Sequence, residues 1–298
     1  MFLTDETLDL VFRGFKTTFN DAYMEAQVNW DRIAMTVPSA SREEQYGWLG
    51  NVPGMREWLG PRVVHSLKAY GFSIVNKKFE STVAVQREDI ADDKLGIYKP
   101  AFAHMGQAAR RHPEELIFGL LAKGFETLCY DGQYFFDTDH PARTSEGVES
   151  SVSNMQAGSE TPWFLFDTSK ALRPMIWQER EAPEFQTMQE SSNPHVFRND
   201  EYLYGVRSRA NCGFGLWQLG FGSKDTLNGT NYAAARAAMM GFRGENGQLL
   251  GITPTVMVVP PALEEAALHI LNAERNEAGA SNVWKGTAGL IVTPYLGA

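Results

Sequence analysis

Asp131, Asp137, Asp139 and His140 form the one metal-like cluster in this 298-residue chain. On an extended strand Asp137 and Asp139 fall on the same side, with His140 adjacent. Such a set could ligate a divalent cation and activate a water for hydrolysis. The calcium-loop pattern is not met, because its sixth position is not Gly and its twelfth is not Glu. An acidic turn closing a hairpin explains the same residues at less cost and carries more weight. Other chemistry is missing too. There is no phosphate loop ending in Lys-Ser/Thr, no His-Glu-x-x-His and no Gly-x-Ser-x-Gly elbow. The run Gly213-Phe-Gly-Leu-Trp-Gln-Leu-Gly-Phe-Gly fails the dinucleotide spacing at Gln218. Cys129 and Cys212 sit in apolar surroundings, where inert buried thiols are usual. Glu114 with Glu115 reads as a helix start, and Glu179 with Glu181 as a solvated strand face. No catalytic, cofactor-binding or metal residue is assigned, and no enzyme is expected.

Charge narrows the partners. A net charge of −9 and a pI near 5.2 argue against a protein held on nucleic acid by phosphate contacts, which needs a basic face. Two cysteines exclude a disulfide framework and point to a reducing compartment. The amino terminus lacks a basic n-region, and no apolar run approaches the ~20 residues that span a bilayer. Synthesis in the cytosol and no membrane partner are expected.

The elements that would position these groups follow from periodicity. Thr4 to Trp30 reads as a helix capped by Thr4, with Leu8, Val11, Phe12, Phe15, Phe19 and Tyr23 as its apolar stripe. Ile33 to Pro38 is a short strand. Val63 to Val85 alternates as a two-stranded excursion turning at Asn76-Lys77-Lys78. Ile97 to Leu121 is the strongest helical signal, either one axis broken at Pro113 or two helices in tandem. Phe125 to Pro141 reads as a hairpin about Asp131-Gly132, followed by a loop from Thr144 to Thr161. Short strands are expected at 163–166, 175–178 and 185–187, then a strand pair over 202–219. A helix over 231–240, a buried strand over 255–259 and a helix over 263–271 mark a compact unit. The final β-run must pair somewhere earlier.

Tyr46 to Arg62 fits none of these periods. Gly47, Gly50, Gly54, Gly60, Pro53 and Pro61 force an extended, turning backbone. Trp48, Leu49, Met55, Trp58 and Leu59 nonetheless need burial, since each Trp offers roughly 150–250 Å². The stretch either folds back on its own core or packs against a neighbouring molecule.

Several runs together decide between these readings: Tyr46-Gly-Trp-Leu-Gly, Arg56-Glu-Trp-Leu-Gly, Asn76-Lys-Lys-Phe-Glu, Arg87-Glu-Asp-Ile, Leu95-Gly-Ile-Tyr, Cys129-Tyr-Asp-Gly-Gln-Tyr-Phe-Phe-Asp-Thr-Asp-His-Pro and Trp284-Lys-Gly-Thr-Ala. In this order the chain resembles the Mu-like phage major head subunit family over essentially its whole length. The resemblance implies an α+β chain with the Hong Kong 97-type phage major capsid fold. Residues 1–45 would be the N-terminal arm and 46–92 the extended loop. Residues 93–219 would form the peripheral domain with its spine helix, 220–275 the axial domain, and 276–298 the closing strand of the peripheral domain.

The function implied is a major capsid protein of a tailed, Mu-like bacteriophage, self-assembling into the icosahedral head around double-stranded DNA. Phe12, Phe15, Phe19, Trp48, Leu49, Met55, Arg56, Trp58, Leu59, Lys77 and Lys78 are then expected at subunit interfaces. The partner would be the chain itself, as pentamers and hexamers. A separate scaffolding protein, a portal and a decoration protein would join it, with packaged DNA nearby but not bound by sequence. The protein would reside in the virion after assembly in the bacterial host cytoplasm. The alternatives are a non-viral compartment shell of the same fold and, less favoured, a metal-dependent hydrolase.

Overall fold

The computed structural model describes residues 4–47, 49, 71–144, 148–244, 247–276 and 279–297. Helix α1 (Asp5–Glu25) begins where the Thr4 side chain accepts the Thr7 N–H, and a four-residue turn α2 (Trp30–Ile33) leads into β1 (Ala34–Pro38). Strands β2 (Glu43–Gln45) and β3 (Ser73–Val75) flank the excursion. They are followed by β4 (Lys77–Gln86), a short α3 (Arg87–Ala91) and the 24-residue α4 (Lys99–Ala122).

The α4 helix is a single axis. Pro113 lies inside it, buried, and has no N–H to offer the Ala109 carbonyl one turn back. Helix α1 lies along α4, and Gly106 is the crossing point: a Cβ there would stand 2.3 Å from the Phe19 carbonyl oxygen. Phe15 stacks on Phe102 at 4.2 Å, and Phe19, Met105, Phe185 and Tyr204 complete this smaller core.

Among the described residues, the strands expected to form a hairpin over 63–85 do not pair with each other. Strand β3 pairs antiparallel with β2, and β4 pairs instead with β10 (Glu201–Phe214). Lys77 and Lys78 are therefore ladder residues opposite Ala210 and Arg209, not the tip of a turn. The turn residues at 76–78 misled because each strand finds a better partner elsewhere.

The chain continues through β5 (His140–Arg143), β6 (Glu149–Val152), β7 (Met155–Gln156) and β8 (Trp163–Phe166). Residues 128–134 close with one bridge, Leu128 to Tyr134, around Gly132 at φ +89° in place of a full hairpin. Strand β9 (Met175–Met188) is continuous. Pro183 is tolerated because it sits at the register shift against β10 and beyond the end of β1. After α5 (Pro194–Asn199), β10 is one long strand and not a pair. The first sheet thus has the order β1-β9-β10-β4.

The second sheet gathers β7, β8, β11 (Gly220–Ser223), β12 (Val256–Val259) and β13 (Gly289–Val292), in the order β13-β12-β8-β11-β7. Helices α6 (Gly229–Met240) and α7 (Glu264–Leu271) belong with it. The closing strand therefore joins β12, in parallel, and not the first sheet as expected for 276–298. Residues 155–166 likewise leave the unit expected for 93–219. The reason is burial: Val256–Val259 is buried at every position, so it needs a strand on each side, and β8 and β13 supply them. A main core runs from Ile117, Phe118 and Leu121 of α4 through Trp163 to Met257, joining both sheets.

Candidate functional site

The acidic cluster of the sequence is a set of structural fastenings. The His140 imidazole is fully buried, lies parallel to Trp217 at 4.0 Å, and has its Nδ1 2.8 Å from Asp131 Oδ2. Cys129 Sγ–H donates to Asp131 Oδ1 at 3.0 Å and the Gln133 N–H donates at 3.1 Å. The ligand-type atoms of Cys129, Asp131 and His140 lie within 4.8 Å of one another, so the sequence cluster missed the thiol and included two acids that stand apart. Asp137 instead accepts the Tyr134 and Thr138 N–H groups, while its own N–H donates to Asn154.

The electrostatics fit a fastening. Burial, then the Asp131 charge, pushes the Cys129 thiol far above its ordinary value, so it stays protonated. Burial alone would raise the Asp131 carboxyl, but hydrogen bonds from His140 and Cys129 outweigh it and hold the group below the usual carboxylate range. A neutral thiol and a carboxylate already accepting three hydrogen bonds are poorly prepared to receive an ion.

The excursion after β2 has a tightly made base. The Tyr46 N–H donates to the Phe72 carbonyl at 2.8 Å, closing the two ends together. The Tyr46 hydroxyl donates to Gln178 Oε1 at 2.8 Å, and Gln178 Nε2 donates to the Ile74 carbonyl and to Asn76 Oδ1. Asn76 Nδ2 in turn donates to Ser39 Oγ. Burial, with a smaller push from Glu44, takes the Tyr46 phenol up to about 12. Ile74 presses on Gly213, where a Cβ would lie 2.3 Å from its Cδ1. Two ends tied this firmly leave 25 residues, 47–71, to leave and return from one place.

The structure places the expected interface residues unevenly. Phe15 and Phe19 are 2% exposed and Leu49 is 0% exposed, all within their own chain. Within the chain, the aromatic stripe of α1 is satisfied by α4 and the first sheet, and Leu49 by the main core. Phe12 is half-buried and stacks on Phe185 at 5.7 Å. Lys77 and Lys78 are exposed on β4. Trp48, Met55, Arg56, Trp58 and Leu59 lie outside the described residues.

A groove of about 410 Å³ between α4 and the first sheet was not foreseen. It opens where side chains on both walls are small: Ala108 and Ala109 on the helix, Ser81, Ser208 and Ala210 on the strands. Small residues at facing positions are its only mark in the sequence, and strand pairing must be known to see that they face.

The match to known proteins agrees with this architecture. The model of the Mu-like prophage major head subunit gpT family matches residues 8–296. The chain belongs to that family. It is 41% identical over 279 residues to the Mu-like prophage FluMu major head subunit of Haemophilus influenzae, covering 91% of each chain. It is 39% identical over 305 residues to the major capsid protein of Escherichia phage Mu, covering 99% of this chain and 100% of that one. Among solved structures, the procapsid of bacteriophage JBD30 superposes with TM-score 0.88 at 41% identity, covering 98% of this chain and 100% of that one. The JBD30 capsid gives 0.79 at 32% identity, with 93% and 94% covered. The fold is the Hong Kong 97-type capsid fold, and the chain is a structural head protein of the virion shell, not an enzyme.

Proposed function

We propose that this chain is the repeating subunit of an icosahedral head that closes around double-stranded DNA, with residues 46–72 reaching across to the next copy. Membership of the head subunit family supports the shell. The observation that supports the reach is the closed base at Tyr46 and Phe72, which brings the two ends of the excursion to one place on the subunit. Head-to-tail contacts of this kind close into rings when the rotation allows, giving pentamers and hexamers. An acidic chain of net charge −9 suits a container whose wall should not hold its DNA tightly.

Assembly in the bacterial host cytoplasm, with a separate scaffolding protein and a portal, completes the reading. A decoration protein fits it as well, since one JBD30 capsid structure carries trimers of a minor capsid protein. The test is electron microscopy of the chain expressed together with its phage head genes. Shells are expected from the natural chain, while Trp58→Ala should give soluble subunits with shell yield down at least tenfold. Normal shells from Trp58→Ala would overturn the reach of the loop, and small species alone from the natural chain would overturn the shell.

A further inference from the structure

Strands β2 and β3, which flank the excursion, form a two-stranded ladder of their own and join neither large sheet. A lone pair of strands is marginal by itself, so contacts outside the ladder must hold it in place. Apolar packing supplies part: Ile74 is buried and sits over Gly213 of β10, where no side chain holds it off. Such contact attracts without fixing an angle. Direction comes from hydrogen bonds, and here they come from amide side chains of the first sheet. Gln178 of β9 and Asn211 of β10 are cross-strand partners and share a face. Gln178 is 0% exposed; its Nε2 donates to the Ile74 carbonyl at 3.0 Å and to Asn76 Oδ1 at 2.8 Å, and its Oε1 accepts from the Tyr46 hydroxyl. Asn211 Nδ2 donates to the next carbonyl, that of Val75, at 2.7 Å. Asn76 passes the connection on, its Nδ2 donating to the Ser41 carbonyl just ahead of β2 at 2.9 Å. Gln178 thereby bonds both limbs of the excursion, the outgoing one at Tyr46 and the returning one at Ile74.

We propose that Gln178, with Asn211 beside it, is a positioning residue that sets the angle at which the excursion leaves the subunit, and through that angle the curvature at which copies join. This rests on the reading that residues 46–72 reach the next copy, and adds what aims them. Head-to-tail contacts close only when the rotation from one copy to the next allows it, and run on as open assemblies when it does not. A tilt at the base displaces whatever lies farther out in proportion to its distance. A small change at Gln178 therefore becomes a change in that rotation.

The experiment is electron microscopy of the assemblies made by Gln178→Met, expressed with the phage head genes after circular dichroism has shown the subunit to be folded. The substitution keeps the length of the side chain and removes its three hydrogen bonds. Assembly is expected to continue in altered forms: shells of mixed diameter, open sheets or tubes, with closed shells of the natural diameter reduced severalfold. Asn211→Ala should shift the same distribution less, because water can replace its exposed bond to Val75, and it carries the test if Gln178→Met does not fold. Shells of natural diameter from folded Gln178→Met, or from Asn211→Ala where Gln178→Met does not fold, overturn the proposal at any yield. A residue that only stabilises the subunit changes how many shells form and not their size. Folded subunits that assemble into nothing overturn it as well, since a redirected excursion still meets a neighbour. These outcomes are separate from the reach itself, which Trp58→Ala tests on its own.

Discussion

The turn around Asp131 and the groove beneath α4 are both polar places set among aromatic rings, and their carboxylates are used differently. At the turn, one carboxylate meets a histidine, a thiol and a backbone N–H, and the His140 ring is sealed under Trp217. In the groove, an indole N–H and an imidazole nitrogen are buried without partners among the described residues, beside carboxylates in excess. The turn is not wholly finished either, since His140 Nε2 is buried without a partner among the described residues, but its carboxylate is shared by three donors while the groove's carboxylates are in excess. A cluster rich in ligand-type residues is the inert one here, and a groove marked by alanines and serines is the open one.

The sharpest way to break the contrast is to empty the turn. Asp131→Ala leaves His140, Cys129 and the Gln133 N–H without their shared acceptor inside the fold. It should cost the unassembled subunit about 3 kcal/mol, read as a lower urea midpoint. A loss below about 1 kcal/mol would mean the turn is not a fastening.

Filling the groove should cost far less. Ser208→Leu adds an apolar side chain where there is room, so stability should stay within about 0.5 kcal/mol of the natural chain. A loss near that of Asp131→Ala would show that the groove has no room.

Acid distinguishes the two places more gently. Burial lowers the His112 pKa, with Glu115 opposing, so the unfolded chain takes up a proton before the folded one as pH falls. The stability held by neutral His112 is complete above its ordinary value of about 6.5 and is lost below it. Asp131, held low in the fold, contributes stability above about 3.9 and loses it only in stronger acid. His112→Gln should therefore flatten the stability profile of the free subunit just below about pH 6.5 and leave the strongly acid limb unchanged. An unchanged slope near pH 6 would remove His112 from the account.

Much was legible before folding. The α1 and α4 stripes, Thr4 as a cap, β8, β12 and α7 follow from apolar spacing and turn chemistry, which act over a few residues. The runs from Tyr46 to Ala288 carry the family on their own. What stayed hidden was non-local. The pairing of β3 with β2, of β4 with β10 and of β13 with β12 depends on which edges meet, and alternation does not encode a partner. The periodicity of Phe15 and Phe19 reads first as a stripe for the chain's own core, but it does not name the element they meet, and the close crossing at Gly106 makes that element α4.

By itself the amino-acid sequence determined the α+β class, the head subunit family, the long helix and a Gly- and Pro-rich excursion with apolar cargo. Only the tertiary structure decided that Cys129, not Asp137 or Asp139, joins Asp131 and His140. It alone tied Tyr46 to Phe72 and left Trp30 and His112 facing a gap between small side chains. Local propensity is set by neighbours in the chain. A shared acceptor, a closed loop base and a groove are each made by residues tens of positions apart, and they exist only once burial has brought those residues together.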